Sequence, residues 1–276
     1  MAFFLLGFLV VASSGSVAVS IKPLALLCKG IVGNSIEVFT VIPPGASPHL
    51  FSPSPSVIKD LSRVRILFVV GAGLEFWLDD VKNLVKGQIV QLSEGMELIG
   101  RGERKNPHVW VSPKRAIFMA GKMKATLQRV FPDRKEEFEN NYRLLLSRLR
   151  ELDFYITERV KRFSSKKIVL YHPSWTYLLL DYGLEQVAVV EKKPGEPPTP
   201  RQLARIASII KKENVKLLIT EPGPQRRFAK TLASQAGINY VILDPLASEK
   251  NYGDYVEFIN ENFDKIEKVL GNVSSK

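Results

Sequence analysis

The chain has 276 residues, 45% of them hydrophobic and 24% charged, with no low-complexity tract, which excludes a disordered or fibrous protein and allows one large globular domain or two ordinary ones. The net charge of +11 raises nucleic acid or an anionic membrane as partners. The basic residues, however, come as scattered pairs such as Lys166-Lys167 and Lys211-Lys212, without interleaved aromatics or a nucleic-acid-binding motif; this indicates a solvated face and no nucleic-acid partner. Cys28 is the only cysteine, which excludes an internal disulfide and a cysteine-based zinc motif; its apolar neighbours make it a buried small hydrophobe.

In chain order, Ala2 to Ala12 is an uninterrupted apolar run followed by Ser13-Ser14-Gly15-Ser16. That outline is a secretory signal over residues 1–16, too short to span a bilayer. Residues 17–131 then form an N-terminal α/β lobe. Strands are predicted at Val17–Ile21, Glu37–Ile42, Arg65–Val70 and Gln88–Leu92. Helices are predicted at Pro23–Gly33, Val57–Leu61 under a Ser56 cap, Leu74–Val85, and from Ser112-Pro113 to about Val130. Pro132 to Phe163 reads as a single long helix, opened by an Asp133/Glu136 capping pair. Its apolar residues recur at three- and four-residue steps from Phe138 to Val160, and at 1.5 Å per residue it spans roughly 45 Å, enough for a rigid strut between two lobes.

The alternation resumes in a C-terminal α/β lobe, residues 164–276. Strands are predicted at Lys167–Tyr171, Gln186–Val190, Val215–Thr220 and Tyr240–Leu243. Helices are predicted at Ser174–Tyr182, from a Thr199-Pro200-Arg201-Gln202 capping box to about Glu213, at Gln225–Ala236 stopped by Gly237, and at Tyr252–Leu270. The fold expected is α/β: two parallel-sheet lobes joined by one long rigid helix.

Parallel α/β sheets bind ligands at the carboxyl ends of their strands. All three histidines fall in loops that follow strands: His49 after the second, His108 after the fourth and His172 directly after Tyr171. Asp244 directly follows Leu243. With two of these residues from each half, the expected site is a metal centre in the cleft between lobes, with ligands His49, His108, His172 and Asp244. Three imidazoles and a carboxylate suit tetrahedral Zn(II) better than Mn(II), which leans toward oxygen donors. Asp244-Pro245 also reads as an ordinary turn starter, and Glu221, ending a strand, is the rival fourth ligand. Binding needs neutral imidazoles, so affinity is expected to fall as pH drops through roughly 6.5. A metallohydrolase is the alternative from another class, but four protein ligands close the shell and no His-Glu-x-x-His motif is present.

Five blocks in this order, Pro44-Gly45-Ala46-Ser47-Pro48-His49, Asn106-Pro107-His108-Val109-Trp110, Tyr171-His172-Pro173, Asp181-Tyr182-Gly183-Leu184 and Leu243-Asp244-Pro245-Leu246, resemble the zinc/manganese solute-binding proteins of ABC importers. The resemblance covers nearly all of the chain after the signal. It implies two α/β lobes joined by a long helix, with the metal between them on the positions matching His49, His108, His172 and Asp244. It further implies no enzymatic activity, a monomer in the periplasm or on the extracellular face of the cytoplasmic membrane, and a membrane permease that receives the metal. Histidine at the third position resembles the zinc carriers; Mn(II) or Fe(II) delivery is the runner-up, and a zinc-dependent adhesin-like surface protein a further alternative. The chain departs from many zinc members in one stretch, where a long histidine-rich acidic loop is replaced by the short, basic Arg101-Gly102-Glu103-Arg104-Lys105.

Overall fold

The computed structural model describes residues 16–271, apart from 101, 103, 104, 192 and 194; apart from Ser16, the predicted signal segment lies outside the described residues, as does part of the basic Arg101–Lys105 stretch. Strands and helices alternate in two successive sets. The first runs β1 (Val17–Val19), α1 (Lys22–Val32), β2 (Val38–Thr40), α2 (Pro55–Leu61), β3 (Ile66–Val69), α3 (Leu78–Val81), β4 (Gln88–Gln91) and α4 (Pro113–Val130). The long helix α5 (Lys135–Val160) leads to β5 (Lys167–Leu170), α6 (Thr176–Asp181), β6 (Glu185–Val189), α7 (Pro200–Lys212), β7 (Leu217–Thr220), α8 (Arg226–Ala236), β8 (Asn239–Ile242) and α9 (Tyr255–Leu270).

Each set closes its own four-stranded sheet, in the orders β2-β1-β3-β4 and β6-β5-β7-β8, and every pairing is parallel. The order reverses between β1 and β3 in one lobe and between β5 and β7 in the other, which opens a crevice at the carboxyl ends of those strands. The central strands β1, β3, β5 and β7 are apolar because both faces are covered, while the edge strands are partly exposed. Ile168, Leu170, Leu217 and Ile219 enter a large core that continues through the N-terminal lobe, while Val169, Tyr171 and Leu218 face a second, smaller core beneath α7 and α8.

The strut holds the lobes through that large core. Its 26 residues extend about 39 Å, and Phe138, Leu145, Leu149, Leu152, Ile156 and Val160 bury one seam. It packs on α1 and α4 of one lobe and on α9 of the other. The helix is shorter than the sequence suggests. Pro132–Arg134 forms a 3-10 turn, so the N-cap is Arg134 and the Asp133/Glu136 capping pair does not form. Glu136 and Glu137 instead lie in the first turn, where their charge favours the positive end of the helix dipole.

Four other predicted helices differ. The apolar spacing of Leu74, Trp77, Val81 and Val85 does bury all four, but only Leu78–Val81 is helical. Left-handed backbone at Gly71, Ala72 and Gly73 precedes it, and successive three-residue turns (Leu74 to Gly71, Leu78 to Glu75, Leu84 to Val81) keep the same face inward without a continuous helix. The cap of α2 is Ser54 rather than Ser56, since Pro55 starts the helix. The helix predicted from Ser174 begins with a 3-10 turn at Pro173–Trp175, and α9 starts at Tyr255 under an Asp254 cap. The Thr199/Gln202 capping box and the left-handed Gly237 stop are formed.

Candidate metal centre

Three unrelated pieces of local structure deliver the histidines to one place. After β2, Val41 and Ile42 still donate to Val19 and Ser20, and the chain then reverses through Gly45 (φ 83°), which brings His49 over the strand ends. His108 sits at an Asx turn: the Asn106 carboxamide oxygen accepts from the His108 backbone N–H at 2.9 Å. The following 3-10 turn, Val109–Val111, buries Trp110, whose indole N–H donates to the Pro245 carbonyl at 2.7 Å and so anchors this turn to the C-terminal lobe. His172 leaves the end of β5 in extended conformation and is followed by Pro173.

The result is a triangle of imidazoles. The His49 and His172 Nε2 atoms each lie 3.2 Å from His108 Nε2, and the candidate ligand atoms of all three lie within 4.8 Å of one another. Nitrogens bound at about 2.0–2.1 Å to one tetrahedral ion stand about 3.3 Å apart, so two edges of the triangle already have coordination spacing. The triangle lines a cavity of about 370 Å³ between the lobes, with Trp110, Glu191, Glu221 and Asp244 also in its wall.

The tautomers are set from behind. The Asn106 oxygen lies 2.8 Å from His108 Nδ1, and a Glu191 carboxylate oxygen bonds His172 Nδ1. Both partners are acceptors, so each Nδ1 carries the proton and each Nε2 turns its lone pair into the cavity. Asn106 does a second job: its amide N–H donates to the Pro173 carbonyl at 2.8 Å, which ties the His108 turn to the residue after His172. Burial, followed by the fields of the neighbouring imidazoles, pulls His49 down to about 4 and His108 well below the usual histidine value. Burial also opposes protonation of His172, but the Glu191 hydrogen bond and the Glu221 and Glu191 charges outweigh it and raise its pKa. Converging lone pairs on neutral imidazoles repel one another unless a cation takes them up, which is what this arrangement can do chemically.

The two acidic candidates differ. Asp244 is buried on the cavity wall, outside the close histidine cluster, and its carboxylate accepts from the backbone N–H groups of Leu246, Ser248 and Glu249 and from the Ser248 hydroxyl. Glu221 directly follows β7, and its Oε1 is buried without a hydrogen-bond donor among the described residues. Burial pushes its carboxyl above the usual range, partly offset by His172.

Sequence reasoning missed the two positioning residues. Asn106 carried a readable signal, an Asx residue two positions before the histidine it orients. Glu191 carried none, because its partner lies 19 residues away across a parallel strand pair. Replacing Glu191 with glutamine is expected to weaken zinc binding about 10–100-fold, the usual effect of losing an outer-shell carboxylate. Unchanged affinity in a competition titration would refute the orienting role of Glu191.

Residues 17–269 match the family described as ZnuA, zinc-uptake complex component A, periplasmic. This chain belongs to that family. It is similar to the zinc-binding protein AdcA of Streptococcus pyogenes serotype M1, 28% identical over 257 residues, which takes in 83% of this chain and 50% of that protein. It is similar also to the high-affinity zinc uptake system protein ZnuA of Bacillus subtilis, 26% identical over 278 residues, covering 92% of this chain and 87% of that one. Among solved structures it resembles the Zn(II)-bound ZnuA-like domain of Streptococcus pneumoniae AdcA at 25% identity and a TM-score of 0.81, over 93% of this chain and 99% of the other. The chain spans about half the length of the AdcA proteins it matches. Membership in a zinc-uptake family gives the histidine triad its reading as a metal site.

Proposed function

We propose that this protein captures Zn(II) outside the cytoplasmic membrane and delivers it, as a monomer, to the permease of an ABC importer. The observation that carries this reading is the triangle of Nε2 atoms at coordination spacing, with the tautomers of His108 and His172 fixed by Asn106 and Glu191. His49, His108 and His172 are the ligands, and Asp244 is the fourth, exchanging one of its turn hydrogen bonds for the ion. Three nitrogen donors with one carboxylate favour zinc over manganese. A specific observation supports a second reading of the fourth position: the Oε1 of Glu221 is buried and unpartnered among the described residues, so Glu221 can serve there without giving up a bond. Zinc is cargo and not a staple, because the large core is continuous through both lobes without the site.

The test is a zinc competition titration from pH 8 to about pH 4, chosen to bracket the histidine range. Metal binds the deprotonated imidazole, so a raised pKa brings proton competition in early and a lowered one delays it. His172 therefore competes first, already above its ordinary value, while His49 holds out to about 4 and His108 also stays neutral well below its ordinary value. The expected plot loses about one decade of affinity per pH unit between these limits and steepens only near the lower end. A slope near three at mildly acid pH would mean three ordinary histidines and would sink this account. The same titration on Asp244→Asn and Glu221→Gln decides the fourth ligand by which variant loses affinity. A chelator should strip the metal and leave the far-ultraviolet circular dichroism unchanged; unfolding on stripping would reclassify the site as structural.

A further inference from the structure

The positive charge of the C-terminal lobe is not evenly spread. Between Pro200 and Gly237, the stretch that forms α7, β7 and α8, lysine and arginine outnumber carboxylates eight to two. One of those carboxylates, Glu221, is turned into the metal cavity, and the other, Glu213, pairs with Lys167 on β5. Arg201, Arg205, Lys211 and Lys212 on α7, with Arg227 and Lys230 on α8, are all exposed. Among the described residues none of these six is ion-paired. Positions 201, 205 and 212 share one helical face at steps of four and seven. On the opposite side of the same sheet, α9 carries the reverse balance, with Glu257, Glu261, Asp264 and Glu267 against Lys265 and Lys268.

The position of this layer matters as much as its charge. The inner faces of α7 and α8 cover the small core of Ile206, Ile210, Leu232 and Ala233, separate from the core that joins the lobes, so the two helices form the outer skin of the molecule. They lie side by side and pack on β6, β7 and β8. The large hydrophobic side chains that reach solvent (Leu50, Phe76, Leu144, Phe154 and others) all lie on other elements.

We propose that the α7–α8 face docks this protein onto the anionic phospholipid surface of a bilayer. A protein partner of comparable affinity needs buried aromatic or aliphatic anchors, and this face presents none. A bilayer with anionic headgroups needs only unpaired cations held close to a plane, which is what two adjacent helices with outward arginines and lysines supply. The Pro222–Gln225 segment that opens α8 lines the metal cavity, so a molecule lying on this face keeps the cleft mouth beside the headgroups and not against them. Docking of this kind confines a carrier to the two dimensions in which a membrane-bound acceptor is found.

Vesicle flotation tests it on the whole folded chain, with about one part in three anionic phosphatidylglycerol in phosphatidylcholine against phosphatidylcholine alone, at about 50 mM and about 300 mM salt. The expected result is at least tenfold stronger partitioning to the anionic vesicles, lost at the higher salt. The combined variant Arg201→Gln, Arg205→Gln, Arg227→Gln and Lys230→Gln should abolish at least tenfold of that binding. A matched set on the other lobe, Lys29→Gln, Lys59→Gln, Arg63→Gln and Lys86→Gln, should change it less than threefold. Equal partitioning to neutral vesicles, salt-independent binding, absence of binding to anionic vesicles at low salt, or equal losses in the two variants would each overturn the proposal. Zinc titration of both variants runs in parallel: unchanged affinity separates a failure of docking from a failure of the zinc reading, and the salt dependence of the unaltered chain stands whether or not a variant folds.

Discussion

Replacing His108 with alanine is expected to lower zinc affinity by roughly 10²–10³-fold, more than the same change at His49. A zinc site worth about 10–16 kcal/mol, spread over the four proposed ligands, assigns each about 2.5–4 kcal/mol. His108 is the shared vertex of the triangle, 3.2 Å from each of the other two Nε2 atoms, and it is 5% exposed. Its loss therefore removes the most buried of the three imidazoles, and it leaves the Asn106 oxygen without the ring N–H that donates to it. His49 rides on a turn whose next residue, Leu50, is 68% exposed, so water reaches that corner and replaces part of the lost coordination. Competition titration of the two variants at neutral pH gives the comparison. A loss of less than tenfold at His108, or a larger loss at His49 than at His108, would contradict the geometry derived above. Circular dichroism separates loss of the ligand from loss of the fold.

Much of this was legible in the sequence, and the reasons are physical. Strands buried on both faces read as short continuous apolar runs, and the central ones were readable as such: Ile66–Val69 and Leu217–Thr220 contain no exposed position at all. The convergence of the histidines was readable because strand ends in parallel sheets share one edge: His172 directly follows β5, and the position of His108 beyond β4 is compatible with the same edge. What was not legible depends on backbone conformation or on distance along the chain. The Leu74–Val85 pattern carries a helical period, yet a run of left-handed residues at Gly71 to Gly73 and the Glu75 carboxylate, which accepts from the Val70 and Gly71 N–H groups, impose turns on the same buried face. Asp133 reads as a cap only if the helix starts beside it, and the 3-10 turn led by Pro132 moves that start to Lys135. Glu191 orients a ligand from the end of a neighbouring strand, a relation no local spacing encodes.

Removing the Asp181 side chain is expected to be the most destabilising single change away from the metal, costing about 3–5 kcal/mol. Its carboxylate accepts from Arg115 Nε at 2.9 Å and Nη2 at 3.1 Å, and from the Ser112 hydroxyl at 2.6 Å, across the junction between α4 and α6. The pair is largely buried, with side-chain exposures of 19% for Arg115 and 16% for Asp181, so it is not a screened surface contact. Alanine at 181 leaves the guanidinium in place over the Tyr177 ring, 4.0 Å from its centroid, with its remaining hydrogen bond to the Glu97 carbonyl and no counter-charge. For a chain of this size the cost corresponds to a fall in Tm of about 10 °C. The effect should reach the site, because Tyr177 donates its hydroxyl to the Asn106 carbonyl and accepts from the Ile99 N–H, and Asn106 orients His108. Thermal unfolding and zinc titration of Asp181→Ala, Arg115→Ala and the double variant form the test. The double variant should be less damaging than the sum of the singles by about 1–3 kcal/mol, since it removes the orphaned charge along with its partner. Strictly additive losses would show that the two side chains act independently, and the interlobe clamp would then have to be sought in the Trp110 anchor to Pro245 instead.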